Sequence, residues 1–318
     1  MRRWPELKRY APQCATPQMP PNHDTNLRRR SSAARGKARD GVCPYPSLYF
    51  GGCCFGAAFY VGVYKALAEL YGPDFMEGMT MSGGSAGTIF AIGIALRKTP
   101  DYLDDLYRKV AAKSHASGPF YNPWHHTGAS VFMEEGLREM LADDPLAYKK
   151  IEGVLYFGTT RFYDQHTWHT SWESNEDLIA GIQSSYHIPF YCHRNKPIKG
   201  IEVVDGAYGF SGVDLLHGDD TLYIGIDPHA EITRSFTYAE MFYPAVGKTY
   251  DDMVESGYKA MMNFDGKMIK KVGHRIPNYP ALRVLWVLKF FEVYFLKTAL
   301  GLALVVFILQ FLLPLVLN

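Results

Sequence analysis

The stretch Met79-Thr80-Met81-Ser82-Gly83-Gly84-Ser85-Ala86-Gly87-Thr88 constrains this chain more than any other. A short apolar run leads into a serine bracketed by glycines, and the series Ile89-Phe90-Ala91-Ile92-Gly93-Ile94-Ala95-Leu96 follows at once with helical character. Gly83 and Gly87 stand two residues either side of Ser85. That is the spacing of a strand-to-helix elbow, which holds a serine in a strained backbone with its hydroxyl exposed. Glycine suits both places because a Cβ there meets the opposite limb of the turn, and Gly84 and Ala86 keep the remaining positions small. The helix start aims unpaired amides at a reacting oxygen. Read alone, the motif fits equally a glycine-rich turn whose serine caps a helix, so the flanking segments decide.

Upstream, Ser47-Leu48-Tyr49-Phe50 reads as a buried strand, followed by Gly51-Gly52-Cys53-Cys54-Phe55-Gly56-Ala57-Ala58 and a helix over 59–70. A strand, a loop of small residues and a helix gather backbone amides toward an anion. If a tetrahedral oxyanion forms at Ser85, its donors come from this loop, at Gly52, Cys53, Cys54 and Phe55. A dinucleotide site is the rival for such a turn. It fails here because no Gly-x-Gly-x-x-Gly is intact and no acidic residue ends a second strand at the required distance.

The loop from Leu48 to Gly62 followed by the Gly83–Gly87 elbow resembles the patatin-like phospholipase family, in particular its adiponutrin-type branch. Two later segments extend the resemblance. Ser184-Ser185-Tyr186-His187-Ile188-Pro189-Phe190-Tyr191 is similar to the family's Ser-x-x-Ile-Pro block, and Val203-Val204-Asp205-Gly206-Ala207 to its Asp-Gly-Gly or Asp-Gly-Ala motif. The likeness covers roughly residues 47 to 225, and the joint order of motifs is far more specific than any one of them. The chain departs from the pattern in the loop. Its Gly-x-Gly-x-x-Gly falls on Gly52, Cys54 and Ala57 or, shifted by one, on Gly51, Cys53 and Gly56, and the middle glycine is a cysteine in either register. A cysteine keeps the backbone N–H, but its side chain crowds a pocket and resists a positive φ.

Serine needs a neighbour to take its proton. The residues alone leave two arrangements open: Asp205 as the base itself, or a Ser, Asp, His order completed by His217, His229 or His274. The resemblance implies the first, with Ser85 as nucleophile, Asp205 as base, and small residues Gly206 and Ala207 allowing close backbone approach. It also implies a three-layer α/β/α fold around a mostly parallel sheet, with no metal or organic cofactor.

The segments between the motifs agree with an α/β chain. Thr99-Pro100-Asp101 opens a helix with Leu103, Leu106 and Val110 on one face. Residues 114–128 read as a loop rich in breakers and aromatics, where Phe120, Tyr121 and Trp124 suit a lipid interface or an active-site flap. A helix over 131–141, paired strands at 154–160 and 165–169, a capped helix over 174–184 and a buried strand at 221–226 complete the pattern. Strands alternating with helices give a mostly parallel sheet with helices on both faces. His166 and His169 point to opposite sides of a strand and cannot share an ion, and His125-His126 lacks zinc spacing.

Both ends differ from the middle. Residues 1–44 are proline-broken and locally basic, with Arg28, Arg29, Arg30, Arg35, Lys37 and Arg39, and read as a disordered tail. A transit peptide and a contact with anionic membrane are the alternatives. Residues 299–317 carry no charge and one amide. At ~1.5 Å per residue they span about 28 Å, close to the ~30 Å hydrocarbon core. Trp286, Phe290, Phe291, Tyr294 and Phe295 precede them with Arg283, Lys289 and Lys297, an aromatic belt with a positive flank. The expected domains are therefore a tail at 1–44, an acyl hydrolase domain at 45–280, and a juxtamembrane segment with a single-pass anchor at 281–318, the catalytic domain facing the cytosol. A secretory leader is missing at the start, which argues against a GPI signal. Five cysteines without a C-x-x-C pair fit a reduced compartment, and a formal charge of +1 gives no reason to expect nucleic acid. The expected function is a serine acyl hydrolase of lipid esters, of lipase or phospholipase type. A catalytically dead membrane adaptor and a lipid acyltransferase are the alternatives. Headgroup, acyl chain, organelle, protein partners and oligomeric state are not legible.

Overall fold

The computed structural model of the 318-residue chain describes residues 43–161, 165–193, 195, 197–209, 215–226, 229–269 and 279–294. Strands β1 (Ser47–Phe50), β2 (Thr80–Gly84), β3 (Leu155–Arg161), β4 (Gln165–His169), β5 (Val204–Asp205), β6 (Thr221–Gly225) and β7 (Ile232–Thr233) form one sheet. Its order is β4-β3-β2-β1-β6-β7, with β5 also on β3. The pairs β1–β2, β1–β6, β2–β3 and β6–β7 are parallel, whereas β4 and β5 run antiparallel to β3.

The helices are α1 (Ala58–Tyr71), α2 (Gly87–Ala95), α3 (Pro100–Ser117), α4 (Ala129–Leu141), α5 (Ala147–Lys150), α6 (Asn175–Ser185), α7 (Tyr238–Phe242), α8 (Gly247–Met262) and α9 (Tyr279–Tyr294). Local chemistry fixes their starts. Thr99 accepts from Tyr102 N at the head of α3 with Pro100 in the first turn, and Ser174 accepts from Asp177 N at the head of α6. Helix α3 runs on to Ser117 before Gly118 stops it at φ 86°, so the loop read from 114 begins four residues later.

Alternation along the strands separates two faces. Leu48, Phe50, Met81, Leu155, Phe157, Leu222 and Ile224 join the main core with α1, α2, α3, α4 and α6. Tyr49 and Tyr223 point the other way, into a small cluster with Leu215, Ala230 and the partly buried Trp168. No helix contributes to this second cluster among the described residues. On the main-core side a further layer stacks on the helices. Helix α8 lies against α1 where Gly62 and Gly257 bring the backbones together: a Cβ at Gly257 would stand 1.9 Å from Phe59 O.

The expected anchor at 299–317 and the basic tail lie outside the described residues. Among those described, no helix is long and apolar enough to cross a membrane. One reading near the anchor is corrected. Lys289 is not part of a positive flank, because it is 1% exposed and its ammonium is held by Glu292 and Asn195.

Candidate active site

The elbow forms as its glycines require. Ser85 follows β2 at φ 55°, a left-handed conformation costly for a non-glycine residue. The turn folds so tightly against β1 that a Cβ at Gly87 would lie 2.1 Å from Phe50 O. The block before Asp205 buttresses it. Ser85 N donates to both the carbonyl and the hydroxyl of Ser185, each at 3.2 Å. The Ser185 hydroxyl donates in turn to Gly158 O at 2.7 Å and lies 2.9 Å from Thr88 Oγ1. Ser185 belongs to the Ser-x-x-Ile-Pro block, but nothing in the sequence assigns it this contact.

Sheet register delivers the aspartate. Strand β2 pairs with β3 at residues 155–158 and β4 covers the other edge, so β5 takes up the free edge at Thr159 and Thr160. Asp205 thus arrives just beyond Gly84, where β2 has ended. Ser85 Oγ donates to Asp205 Oδ2 at 2.5 Å, and Ala207 N donates to Oδ1 at 2.8 Å. The Asp205 backbone is pinned as well: its N–H donates to His187 O at 2.9 Å and its carbonyl accepts from Thr160 Oγ1 at 2.8 Å. Burial pushes the carboxyl pKa up to about 7 against the opposing pull of the Ser85 hydroxyl and the Ala207 amide. Of the histidines considered as bases, His217 and His229 lie at the surface, and His274 lies outside the described residues.

The glycine loop passes beside this pair. A Cβ at Gly52 would stand 2.5 Å from Ala207 Cβ and 2.9 Å from Ser85 Cβ, so only glycine fits between them. Gly51 N is engaged by Ile224 O, and Gly56 N by Cys53 O. Cys54 and Phe55 open a 3-10 turn (Cys54–Ala57), where the first amides have no carbonyl within the turn to bond. The loop register also becomes clear. Cys54 sits at φ 48° and Cys53 at φ −154°, so Cys54 occupies the left-handed position of the middle glycine, with Gly52 and Ala57 either side. Burial raises the thiols of Cys53 and Cys192 to about 12 and that of Cys54 well above its usual value, which leaves none as a ready thiolate.

Ser85 opens into an apolar cleft. Cys54, Phe55, Ile89, Val110, Met133, Ile188 and Tyr191 line it. Phe120 packs on Tyr191 with ring centroids 5.1 Å apart and remains half exposed, while Trp124 and Tyr243 are more exposed still. The aromatic loop therefore reaches the cleft through Tyr191. No group of histidine, cysteine, aspartate and glutamate among the described residues is arranged to hold a metal ion. His169 accompanies Thr159 at 2.8 Å and stacks on Phe157, and burial keeps its pKa down at about 4.

No family model matches the chain. Human 1-acylglycerol-3-phosphate O-acyltransferase PNPLA3 is 30% identical over 168 residues, 51% of this chain and 33% of that protein. The mouse protein of the same name is 26% identical over 185 residues, 56% of this chain and 43% of that one. The chain thus matches less than half the length of either relative. Among solved structures, VipD from Legionella pneumophila aligns over 71% of this chain and 68% of its own, at 11% identity and a TM-score of 0.40. The sequence likeness to the two acyltransferases, together with the elbow serine and late aspartate in direct contact, supports a patatin-like phospholipase.

Proposed function

We propose that the protein is a serine acyl hydrolase of lipid esters. The observation that carries this reading is the 2.5 Å contact of Ser85 Oγ with Asp205 at the foot of an apolar cleft. As Ser85 Oγ attacks the ester carbonyl, Asp205 Oδ2 takes its proton. The carbonyl oxygen becomes an oxyanion facing the glycine loop, where the amides of Gly52, Cys53, Cys54 and Phe55 are the candidate donors. Asp205 then returns the proton to the departing alcohol, and the acyl group stays on Ser85. Water enters and attacks the acyl carbonyl as Asp205 takes its proton, and Asp205 passes that proton to Ser85 Oγ as the acyl C–O bond breaks and the fatty acid leaves. The cleft holds the acyl chain through apolar contact, as a hydrocarbon substrate requires.

A second reading shares every step to the acyl-enzyme. Both relatives are named as acyltransferases that act on 1-acylglycerol-3-phosphate, which favours a lipid hydroxyl in place of water in the second half. The domain reading stays with this proposal: a basic tail at 1–44, the acyl hydrolase domain at 45–280, and an anchor at 299–317 that keeps the cleft beside its membrane substrate.

The test is a fluorophosphonate ester probe on detergent-solubilised wild type, Ser85→Ala and Asp205→Asn. Labelling that disappears in Ser85→Ala and falls sharply in Asp205→Asn supports the dyad. Full labelling of Asp205→Asn refutes it, and no labelling of folded wild type favours the adaptor. Adding a lysophospholipid acceptor to a labelled ester then separates transfer from hydrolysis by its product.

A further inference from the structure

The mouth of the cleft carries large aromatic side chains that the protein leaves in water. Trp124 is 77% exposed, Tyr243 58% and Phe120 46%. Single apolar residues scattered over a surface are ordinary, whereas a contiguous group of large ones marks a contact. The Phe120 ring centroid lies 5.1 Å from that of Tyr191 and 6.5 Å from that of Tyr243. Tyr191 in turn lines the cleft beside Ser85, and its hydroxyl donates to Phe242 O at 3.0 Å. An aromatic path therefore runs from the exposed rim into the cleft.

The loop that carries Phe120 and Trp124 is pinned along its length. Tyr121 N donates to Tyr191 O at 3.0 Å and Ala129 N to Pro119 O at 2.9 Å, which ties down both ends. Asn122 and Thr127 bridge the middle, and Asn122 Oδ1 accepts from Trp124 N at 3.0 Å and from His125 N at 3.3 Å. A Cβ at Gly128 would stand 2.8 Å from Phe120 O. Such bonding argues against a swinging flap. It fixes Trp124 at the loop tip, where ordering costs conformational freedom and recovers little burial within the protein.

We infer that this rim, at Phe120, Trp124 and Tyr243, rests against the surface of a phospholipid bilayer. The chemistry of the rim chooses this occupant. Residues 118–128 and 242–247 contain no Asp, Glu, Lys or Arg, so they offer no ion pair to a protein partner. Trp and Tyr, each with an apolar ring and a polar edge, suit the level between headgroups and acyl chains. Because the cleft opens among these residues, an ester drawn from a bilayer would pass into it without exposing its acyl chain to bulk water. The inference rests on the reading of the cleft as a lipid ester site and makes no use of residues 299–317.

The test places p-benzoylphenylalanine singly at Phe120, Trp124, Tyr243 and Leu146 of the full chain with dioleoylphosphatidylcholine vesicles. Lipid and protein adducts are counted by mass spectrometry after irradiation, and each sample is also labelled with the fluorophosphonate probe. Leu146 is exposed and lies beyond the far end of α4, whose 13 residues extend about 20 Å from the loop, so it reports background. Lipid adducts at 120, 124 and 243 severalfold above those at 146 are the expected result. Background adducts in a protein that still labels overturn the inference and leave the ester reading standing. Protein adducts in place of lipid, to a second copy or to another segment of the chain, overturn it as well and assign the rim to that occupant. Lipid adducts without labelling support the membrane contact and count against the ester reading. Background adducts without labelling overturn both.

Discussion

Ser85 Oγ and Asp205 Oδ2 meet at 2.5 Å although 120 residues separate them along the chain. Their meeting is a product of register rather than of loop flexibility. Strand β5 occupies the length of β3 that β2 leaves free, which sets Asp205 one step beyond the end of β2 and opposite the elbow. The pair is buried on all sides except toward the cleft, and that burial governs how it responds to pH.

As a base, Asp205 works only when ionised, so the rate on a soluble ester is expected to rise with pH through about 7 and then level off. A pH–rate profile checks this. A rate already at its plateau at pH 5 would refute the raised pKa.

Stability is expected to move the opposite way. The folded carboxyl holds its proton up to about 7, whereas the unfolded chain gives it up near the ordinary aspartate value of 3.8. The favourable difference is complete below the lower value and disappears as pH rises through the upper one, on the order of 4 kcal/mol in all. Asp205→Asn has no charge to bury. It is expected to melt above wild type at pH 8, with the gap narrowing toward pH 4. An equal gap at both pH values counts against this account.

Cys54 holds a left-handed backbone beside the nucleophile and points its side chain into the cleft rim. Cys54→Gly relieves about 1–2 kcal/mol of backbone strain and returns about 1 kcal/mol through a floppier unfolded chain, so stability stays close to wild type. The widened cleft is expected to raise kcat/KM on bulky acyl esters roughly ten-fold, the worth of a methylene-sized change in an apolar pocket. Ester substrates graded in acyl bulk read this out. Unchanged selectivity would mean that the thiol does not shape the cleft.

Ser185 supports the elbow from behind. Ser185→Ala leaves Gly158 O without its donor and removes one of two acceptors for Ser85 N. A loss of about 1–3 kcal/mol in stability is expected, with kcat falling and KM held. Denaturant melts and steady-state kinetics test the pair of effects, and a normal kcat would show that the elbow holds its shape unaided.

Lys289→Met leaves the buried Glu292 with His187 as its remaining partner and is expected to cost about 3–5 kcal/mol. The double variant Lys289→Met/Glu292→Leu removes both charges and is expected to recover most of it. Melting of the detergent-solubilised variants distinguishes the two. A double variant no better than the single would mean the cluster stabilises by more than pairing.

Much of this was legible in the residues. Gly83, Ser85 and Gly87 specify the elbow through sterics that act within five residues, and Thr99, Pro100 and Ser174 mark helix starts by local hydrogen bonding. The aspartate was reachable because Val203 to Ala207 reads as a strand end once the earlier motifs are in hand. What lay hidden depends on contacts far apart in sequence. Only the backbone angle at Cys54 chooses the loop register. Ser185 looks like any helical serine until Ser85 N is set against it. Lys289 read as a surface charge because nothing local shows Asn195 and Glu292 closing around it. Helix α7 starts at a capping box of Thr237 and Glu240 that the sequence reading passed over, α8 has no side-chain cap, and the close approach of Gly62 and Gly257 is visible only when α8 is laid on α1.

Strand β5 is two residues long, and this carries a consequence for how the protein fails on warming. The aspartate hangs from the sheet by a short stitch, reinforced by Thr160 below and His187 beside it. Such a stitch can open while β1, β2 and β3 stay zipped, because brief local openings need far less than the whole unfolding free energy. We expect heat inactivation to begin below the melting temperature, with the Asp205 amide exchanging its hydrogen faster than the amides of β2. The chain would then idle before it unravels, its core intact and its serine without a base, and cooling would restore it.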